Sequence, residues 1–334
     1  MQTFQYTRST NVDQAVQAAG RSKTAQQYAD VRFVAGGTTL VDLMKLDVER
    51  PNQLVDINAL PLDSVGPAPG GGLVIGALAR NSTVAHHPVV QRDYPVLSEA
   101  LLSGASPQLR NMATTAGNVL QRTRCVYFRD TAHACNKREP GTGCSAIDGF
   151  NRNLAILGTS KECIASNPSD QNVALTALEA TIQVQGTRGR RTIPIQEFYL
   201  KPGSTPNREN VLEPGDLIVS VTLPAPVPGT RSHYLKLRDR AAYEFALASA
   251  AIIVKVNGSR IEHARVALGG VGTIPWRSHE AEQELLGHTA NAATFRRAAD
   301  AALKSAQPAS GNGFKVELAK LCIVRALTVS TQSV

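Results

Sequence analysis

The chain lacks any apolar run near the ~18 residues that cross a bilayer, so no membrane span is expected. Aromatic residues make up only 5% of its 334 positions, and no stacking motif for single-stranded nucleic acid occurs. The formal charge is +8, but the lysines and arginines are scattered, the densest run being GTRGRRTI, so nucleic-acid binding is not expected. The opening MQTFQYTRSTNVDQAVQAAG has no basic start, apolar core or small-residue cleavage site, which predicts no secretory signal of its own. The expected compartment is the cytoplasm, or the periplasm if a signal-bearing partner carries the chain out. Without an export address, a disulfide framework is the weaker reading of the five cysteines. Neither a G-x-G-x-x-G fingerprint nor a P-loop is present, and no internal repeat or low-complexity tract occurs.

The pattern that is present is mixed. NVDQAVQAAG reads as an amphipathic helix opening at Asn11 or Asp13 and closed by Gly20. VRFVAGGTTL is an apolar strand running into a double glycine, VDLMKLDVER looks helical, and QLVDI is a short strand. A strand at LVIGA and a mostly helical HPVVQRDYPVLSEALLSGA follow. Residues 119–167 show weak periodicity and many turn formers, the mark of a functional or metal-organised loop. Beyond it come a helix at VALTALEA, a hairpin at TIQVQGTRGRRTIPI and a strand at DLIVSVTLP. PAPVPGTR reads as a boundary. After it, HYLKLRDR, FALASAAIIVKVNG and RVALGGVG read as strands or a helix–strand pair, and three helical stretches close the chain. The expected divisions are 1–57, 58–225 with an insertion at about 119–167, and 230–334, the last an α+β unit with a small antiparallel sheet and a helical bundle.

Three short motifs carry chemistry. In VAGGTTL, Gly36 and Gly37 end a strand, where glycine permits positive φ and exposes successive N–H groups to an anion, with Thr38 and Thr39 as added donors. By itself such a motif is also an ordinary tight turn. A second small-residue turn, Ala116-Gly117-Asn118 in MATTAGNVLQRTR, is followed by Arg122 and Arg124. Two such turns on either side of a cleft would grip a pyrophosphate from both sides. In NPSDQNVALTALEA, Ser169 and Asp170 precede a helix, which suits either capping or a carboxylate for ligand hydroxyls.

The order AGGTTL, QLVDI, LVIGA, TTAGN, PSD…AL, LKLRDRAAYEFALASAA and ALGGVGTIPWR resembles the flavin subunit of the molybdenum hydroxylases, the xanthine dehydrogenase and carbon monoxide dehydrogenase group, from about residue 5 to the C-terminus. The resemblance implies an α+β fold: a two-part FAD-binding domain of the vanillyl-alcohol-oxidase (PCMH) type, then a C-terminal α+β domain. It implies FAD contacts from Val34, Ala35, Gly36, Gly37, Thr38, Thr39 and Leu40 around the pyrophosphate, and from Thr115, Ala116, Gly117, Asn118 and Val119 on the other side. Arg122, Asp170, Leu217 and Lys236 complete the implied set. The chain departs from typical members in carrying roughly 45 residues between the second turn and Ser169-Asp170, and these hold four of its cysteines.

Those cysteines are spaced C-x9-C-x8-C-x18-C, unlike a zinc ribbon or a ferredoxin run. Spacing leaves a metal or cluster site, disulfides and unrelated thiols all open. Nearby Lys137, Arg138, Arg122, Arg124 and Arg129 are expected to favour thiolates. The resemblance narrows the choice, because flavin subunits of periplasmic aldehyde oxidoreductases and of 4-hydroxybenzoyl-CoA reductases carry such an insertion with a 4Fe–4S cluster. YFRDTAHACNKREPGTGCSAI…GTSKECIASNPSD looks most like the former, which implies Cys125, Cys135, Cys144 and Cys163 as ligands. Cys322 is expected in the core and His133 on the surface.

The implied function is electron transfer within a molybdenum-dependent aldehyde oxidoreductase. A large subunit would carry the molybdenum cofactor and a small one the 2Fe–2S centres, with FAD here passing electrons to an external acceptor. A xanthine dehydrogenase-like or 4-hydroxybenzoyl-CoA reductase-like complex, a free-standing flavin oxidase and a metal-stabilised binding protein are the competing readings. No catalytic acid or base is expected on this chain.

Overall fold

The computed structural model describes residues 1–332. Its first unit is a parallel sheet of β1 (Gln5–Arg8), β2 (Val31–Val34) and β3 (Gln53–Asp56), ordered β1-β3-β2. Helix α1 (Val12–Ala19) connects the first two strands and α2 (Leu40–Lys45) the last two. Asn11 opens α1 by accepting the N–H of Gln14 at 2.9 Å, and Gly20 closes it, as the sequence predicts. Helix α2 stops short of the helical reading of VDLMKLDVER. Asp47 turns left-handed at φ +56, and Arg50 precedes Pro51, where helical backbone is disfavoured. That early stop frees Glu49 from a helix surface and lets it enter the interior, where it is 4% exposed.

The second unit begins with β4 (Val65–Pro67) and β5 (Leu73–Gly76). A run of short helices follows: α3 (Asn81–Ala85), α4 (Pro88–Asp93), α5 (Pro95–Ser103), α6 (Pro107–Met112), α7 (Thr115–Val119) and α8 (Val126–Arg129). Prolines at the first turns of α4, α5 and α6 explain the segmentation. After the long loop come α9 (Asp170–Ala177), the hairpin β6 (Thr181–Gly186) and β7 (Gly189–Pro194), α10 (Ile195–Phe198) and β8 (Leu217–Leu223). The five strands form an antiparallel sheet ordered β4-β5-β8-β6-β7.

The third unit is an antiparallel sheet of β9 (Arg231–Leu237), β10 (Ala248–Asn257), β11 (Arg260–Gly269) and β12 (Trp276–Arg277), covered by α11 (His279–Leu285), α12 (Ala292–Ala302) and α13 (Phe314–Thr331). FALASAAIIVKVNG is therefore strand, not helix. It reads as one apolar run because both faces are buried. Ala250, Ile252 and Val254 pack under the three helices, while Ala251 and Ile253 join the core of the second unit. Cys322 is buried within the helical layer at 1% exposure. No helix among the described residues is long and apolar enough to cross a membrane.

Residues 119–167 contain little regular structure beyond α8, yet they are held by the first and third units. Cys125, Phe128, Cys135 and Cys163 share a small core with Leu43 and Val48 of the first unit. Ile156 and Leu157 donate their N–H groups to Val271 O at 2.8 and 3.0 Å, docking the loop on the third unit. Lys315, at 0% exposure, donates to Leu154 O at 2.8 Å and Gly270 O at 2.7 Å. Among the described residues no carboxylate pairs with it, and burial pushes its ammonium down to about 7.

A lysine whose folded pKa lies below its unfolded value is charged in both states under pH 7 and neutral in both above the unfolded pKa. Between them the unfolded chain holds the extra proton, so stability rises with pH. The stability of the wild type relative to Lys315→Met, measured by urea unfolding, should therefore grow as pH rises from about 7 toward 10. A pH-independent difference would show that the folded amine keeps an ordinary lysine pKa and that burial does not depress it.

Candidate functional site

The first glycine turn leaves β2 at Val34, whose carbonyl accepts the N–H of Ile57 at 3.1 Å. The backbone N–H groups of Gly36, Gly37, Thr38 and Thr39 find no acceptor among the described residues, and Gly37 stands at φ +71. A Cβ placed on Gly36 would fall 1.9 Å from the Met112 carbonyl oxygen, so only glycine lets the two backbones meet. Asn58 and Arg80 brace this meeting point. The Asn58 amide donates to Ala35 O at 3.0 Å and its oxygen accepts from Arg80 Nη2 at 3.3 Å, while Arg80 Nη1 donates to Met112 O.

The second turn is a short helix rather than the open turn expected from TTAGN. Thr114 caps α7 by accepting the Gly117 N–H at 3.2 Å. Ala116 and Gly117 face the same cleft as residues 35–40. Thr115 turns away, its hydroxyl donating to Ala79 O at 3.1 Å, and Val119 is core. Asn118 Oδ1 accepts from the Ser169 hydroxyl at 2.8 Å, stitching this turn to the start of α9.

The cleft holds a cavity of about 220 Å³. Phe33, Ile57, Leu78 and Leu217 give it an apolar side, and Arg32, Glu49, Arg122 and Glu209 a charged one. Arg122 Nη1 donates to Gln27 Oε1 at 2.8 Å and to Glu49 Oε1 at 2.5 Å, and its Nε meets Glu209. Its Nη2 is buried without an acceptor among the described residues. Glu49, Glu209 and Arg32 were not among the sequence candidates. Each comes from an unremarkable polar stretch, and no local spacing marks it.

Ser169 is the cap of α9, accepting the N–H of Asn172 at 3.0 Å, which leaves Asp170 for other work. Asp170 accepts from Tyr234 OH at 2.6 Å and Lys236 Nζ at 2.8 Å. The Lys236 side chain is 3% exposed and also donates to Ser103 O at 3.1 Å. Burial first, then the neighbouring carboxylate, pushes the Tyr234 phenol well above its usual range, so it stays a donor. Asp170 lines a second pocket, of about 160 Å³, with Ser169, Asn167, Arg124 and Phe245. Thus residues 35–40, Ala116, Gly117, Arg122 and Leu217 meet at the main cleft. Asp170 and Lys236 meet each other beside it.

All five cysteines are free thiols. Cys135 and Cys144 face each other across an isolated antiparallel bridge, and Cys125 and Cys163 lie in the same small core. Burial pushes the Cys125 thiol up to about 12, and it raises Cys144 and Cys163 too, with neighbouring cysteines adding to each. Of the basic residues expected to favour thiolates, Lys137 does so at Cys163. Arg124 and Arg129 turn to Asp42 of α2 (3.3 and 2.9 Å), and Arg138 donates to the carbonyls of Tyr127 and Phe128 at 2.8 and 2.9 Å. His133 lies at the surface, paired with Asp130 at 3.1 Å. Among the described residues, no three His, Cys, Asp or Glu side chains close on one point as ligands of a single metal ion.

Comparison with known proteins agrees with this arrangement. Residues 2–226 match the family described as the FAD binding domain in molybdopterin dehydrogenase, and residues 233–329 match the CO dehydrogenase flavoprotein C-terminal domain. The aldehyde oxidoreductase FAD-binding subunit PaoB of Escherichia coli K12 is 49% identical over 305 residues, covering 91% of this chain and 92% of that one. The carbon monoxide dehydrogenase medium chain of Hydrogenophaga pseudoflava is 29% identical over 332 residues, 98% of this chain and 96% of that one. A solved structure of carbon monoxide dehydrogenase from the same organism, lacking the Mo-pyranopterin moiety, superposes with a TM-score of 0.77 at 28% identity, over 98% and 97% of the two chains. Two glycine-bearing segments that converge on one cleft, within a fold and sequence shared almost end to end with flavin subunits, have one explanation: the chain belongs to the FAD-binding subunits of the molybdenum hydroxylase family.

Proposed function

We propose that the chain is the electron-transfer subunit of a molybdenum-dependent aldehyde oxidoreductase, with FAD in the main cleft and a 4Fe–4S cluster on Cys125, Cys135, Cys144 and Cys163. The observation that carries the flavin reading is the row of four N–H groups from Gly36 to Thr39 that find no acceptor among the described residues, in a segment that lines one cleft with Ala116 and Gly117. Such a row suits the pyrophosphate of a dinucleotide, and the Arg122 side chain lines the same cleft. Phe33, Ile57, Leu78 and Leu217 offer apolar surface to the rest of the cofactor. Val34, Thr115, Asn118 and Val119 support these contacts from behind. Asp170, fixed by Tyr234 and Lys236, is the candidate for the cofactor's hydroxyls. Bound FAD would supply the chemistry of the subunit, accepting electrons from partner centres and releasing them to an external acceptor. The protein's share is to hold, orient and shield it.

Four clustered free thiols, three of them buried, also fit an iron–sulfur cluster by their chemistry. Burial makes Cys125, Cys144 and Cys163 hard to ionise, and the positive charge of iron would relieve burial and mutual repulsion together. A cluster of several irons keeps its ligands further apart than one ion does, which suits sulfurs that do not close on a single point. The aldehyde reading rests on the 49% identity to an aldehyde oxidoreductase subunit. It brings with it a heterotrimer containing a molybdenum-cofactor large subunit and a 2Fe–2S small subunit.

Purified alone, the chain should show a bound-flavin spectrum and no aldehyde oxidation, and aldehyde turnover without partners would refute the subunit assignment. Gly36→Ala should weaken FAD binding at least about tenfold, roughly 1.4 kcal/mol, in a fluorescence titration; wild-type affinity would remove this turn from the site. Anaerobically purified chain should contain about four irons and four sulfides, and Cys135→Ser should lower both. Iron-free wild type after reconstitution would rule out the cluster.

A further inference from the structure

A buried chain of charges forms the wall between the cofactor cleft and the cysteine loop. Arg32 donates to Glu49 through Nε and Nη2 at 3.0 and 2.9 Å. Glu49 accepts from Arg122 at 2.5 Å, Arg122 meets Glu209, and Glu209 accepts from Lys137 Nζ at 3.0 Å. The Glu49, Arg122 and Lys137 side chains are 3%, 13% and 9% exposed. Arg32, Glu49, Arg122 and Glu209 face the cofactor cleft, while Arg122, Lys137 and Glu209 also line a small pocket with Cys163. The Arg122 guanidinium lies 4.8 Å over the ring of Phe128, which is wholly buried among the cysteines.

A wall of this kind is an expensive way to gain stability, because well-packed apolar residues do as well without desolvating ions. What it does provide is register. Each charge has one low-energy position, set by the next, so an error in placing Lys137 or Phe128 reaches Arg122 and Glu49. Both ends of the relay are fixed by chemistry: Arg32 by β2, which leads into the glycine turn, and Lys137 by its place two residues after Cys135.

We propose that Arg122 is a positioning residue through which the order of the cysteine loop sets the affinity of the cofactor cleft. The group held by the cysteines acts on FAD by fixing this arginine, whether or not electrons pass through it. The inference rests on the reading of the cleft as an FAD site and of the loop as a cluster site. It assigns the insertion a role in cofactor retention.

The test uses the full chain and three readouts: FAD dissociation constant, visible circular dichroism of the bound flavin, and iron content. Glu209→Gln removes one arm of the relay and Phe128→Leu the other. Each should raise the FAD dissociation constant about tenfold and alter the flavin dichroism, with iron content near wild type. Because both act through Arg122, the double variant should be little worse than the weaker-binding single variant. Wild-type affinity in both single variants, or effects that multiply as independent changes do, would overturn the proposal. Should Glu209→Gln fail to fold, wild-type chain stripped of iron carries the same test. It should lose FAD affinity to a similar extent, and unchanged affinity would again overturn the coupling. A wild-type chain that holds iron but never binds FAD would instead overturn the cleft reading itself.

Discussion

The approach of the Gly36 backbone to the Met112 carbonyl is the constraint on which the rest of the molecule depends. It joins a parallel three-stranded unit to an antiparallel five-stranded one at a point where no side chain fits. Everything that makes a cleft follows from that contact. The donors of residues 36–39 are left without acceptors among the described residues, Asn58 and Arg80 brace the seam, and Thr114 caps α7 on the other side of the cleft. Two separately folded sheets could slide past each other. Backbone meeting backbone through a glycine, with polar side chains locking both sides, removes that freedom.

Charge is used differently on the two sides of the site. Around Asp170 it is economical, with one carboxylate, one ammonium and one phenol, each given a partner. Along the Arg32–Lys137 wall it is elaborate, with three cations to two carboxylates. Cutting such a wall by removing one partner costs about 3–5 kcal/mol, because the remaining ion is left in a poor dielectric. The asymmetry matches the surroundings. Asp170 sits on a helix that is buried from end to end, whereas Lys137 sits on a loop with little regular structure to hold it.

Much of this was legible in the sequence. Alternation and caps mark the strands and most helices, and the glycine turns, Ser169-Asp170 and the crowded cysteines stand out by composition alone. What was hidden has a common cause. Glu49 is exposed to the site because a predicted helix ends early at Asp47, a conformational event that propensity does not encode. Arg32 and Glu209 lie far apart in the chain and join Glu49 and Arg122 only through tertiary contacts, so no local pattern points to them. FALASAAIIVKV was ambiguous because burial on both faces erases the period that separates strand from helix. The arginines near the cysteines misled for a related reason: proximity in sequence said nothing about the carboxylate and carbonyl groups that claim them.

Lys315 gives the long loop a place in time as well as in space. Its ammonium and the Leu154 carbonyl are 161 residues apart in the chain, and the tie is made from the first turn of the last helix. A ribosome delivering this protein N-terminus first has released both flavin-site sheets before that helix exists. The cysteine segment therefore emerges before Lys315, and this tie to the third unit forms only once that helix has followed it. Under the proposed cluster assignment, that order lets insertion precede locking.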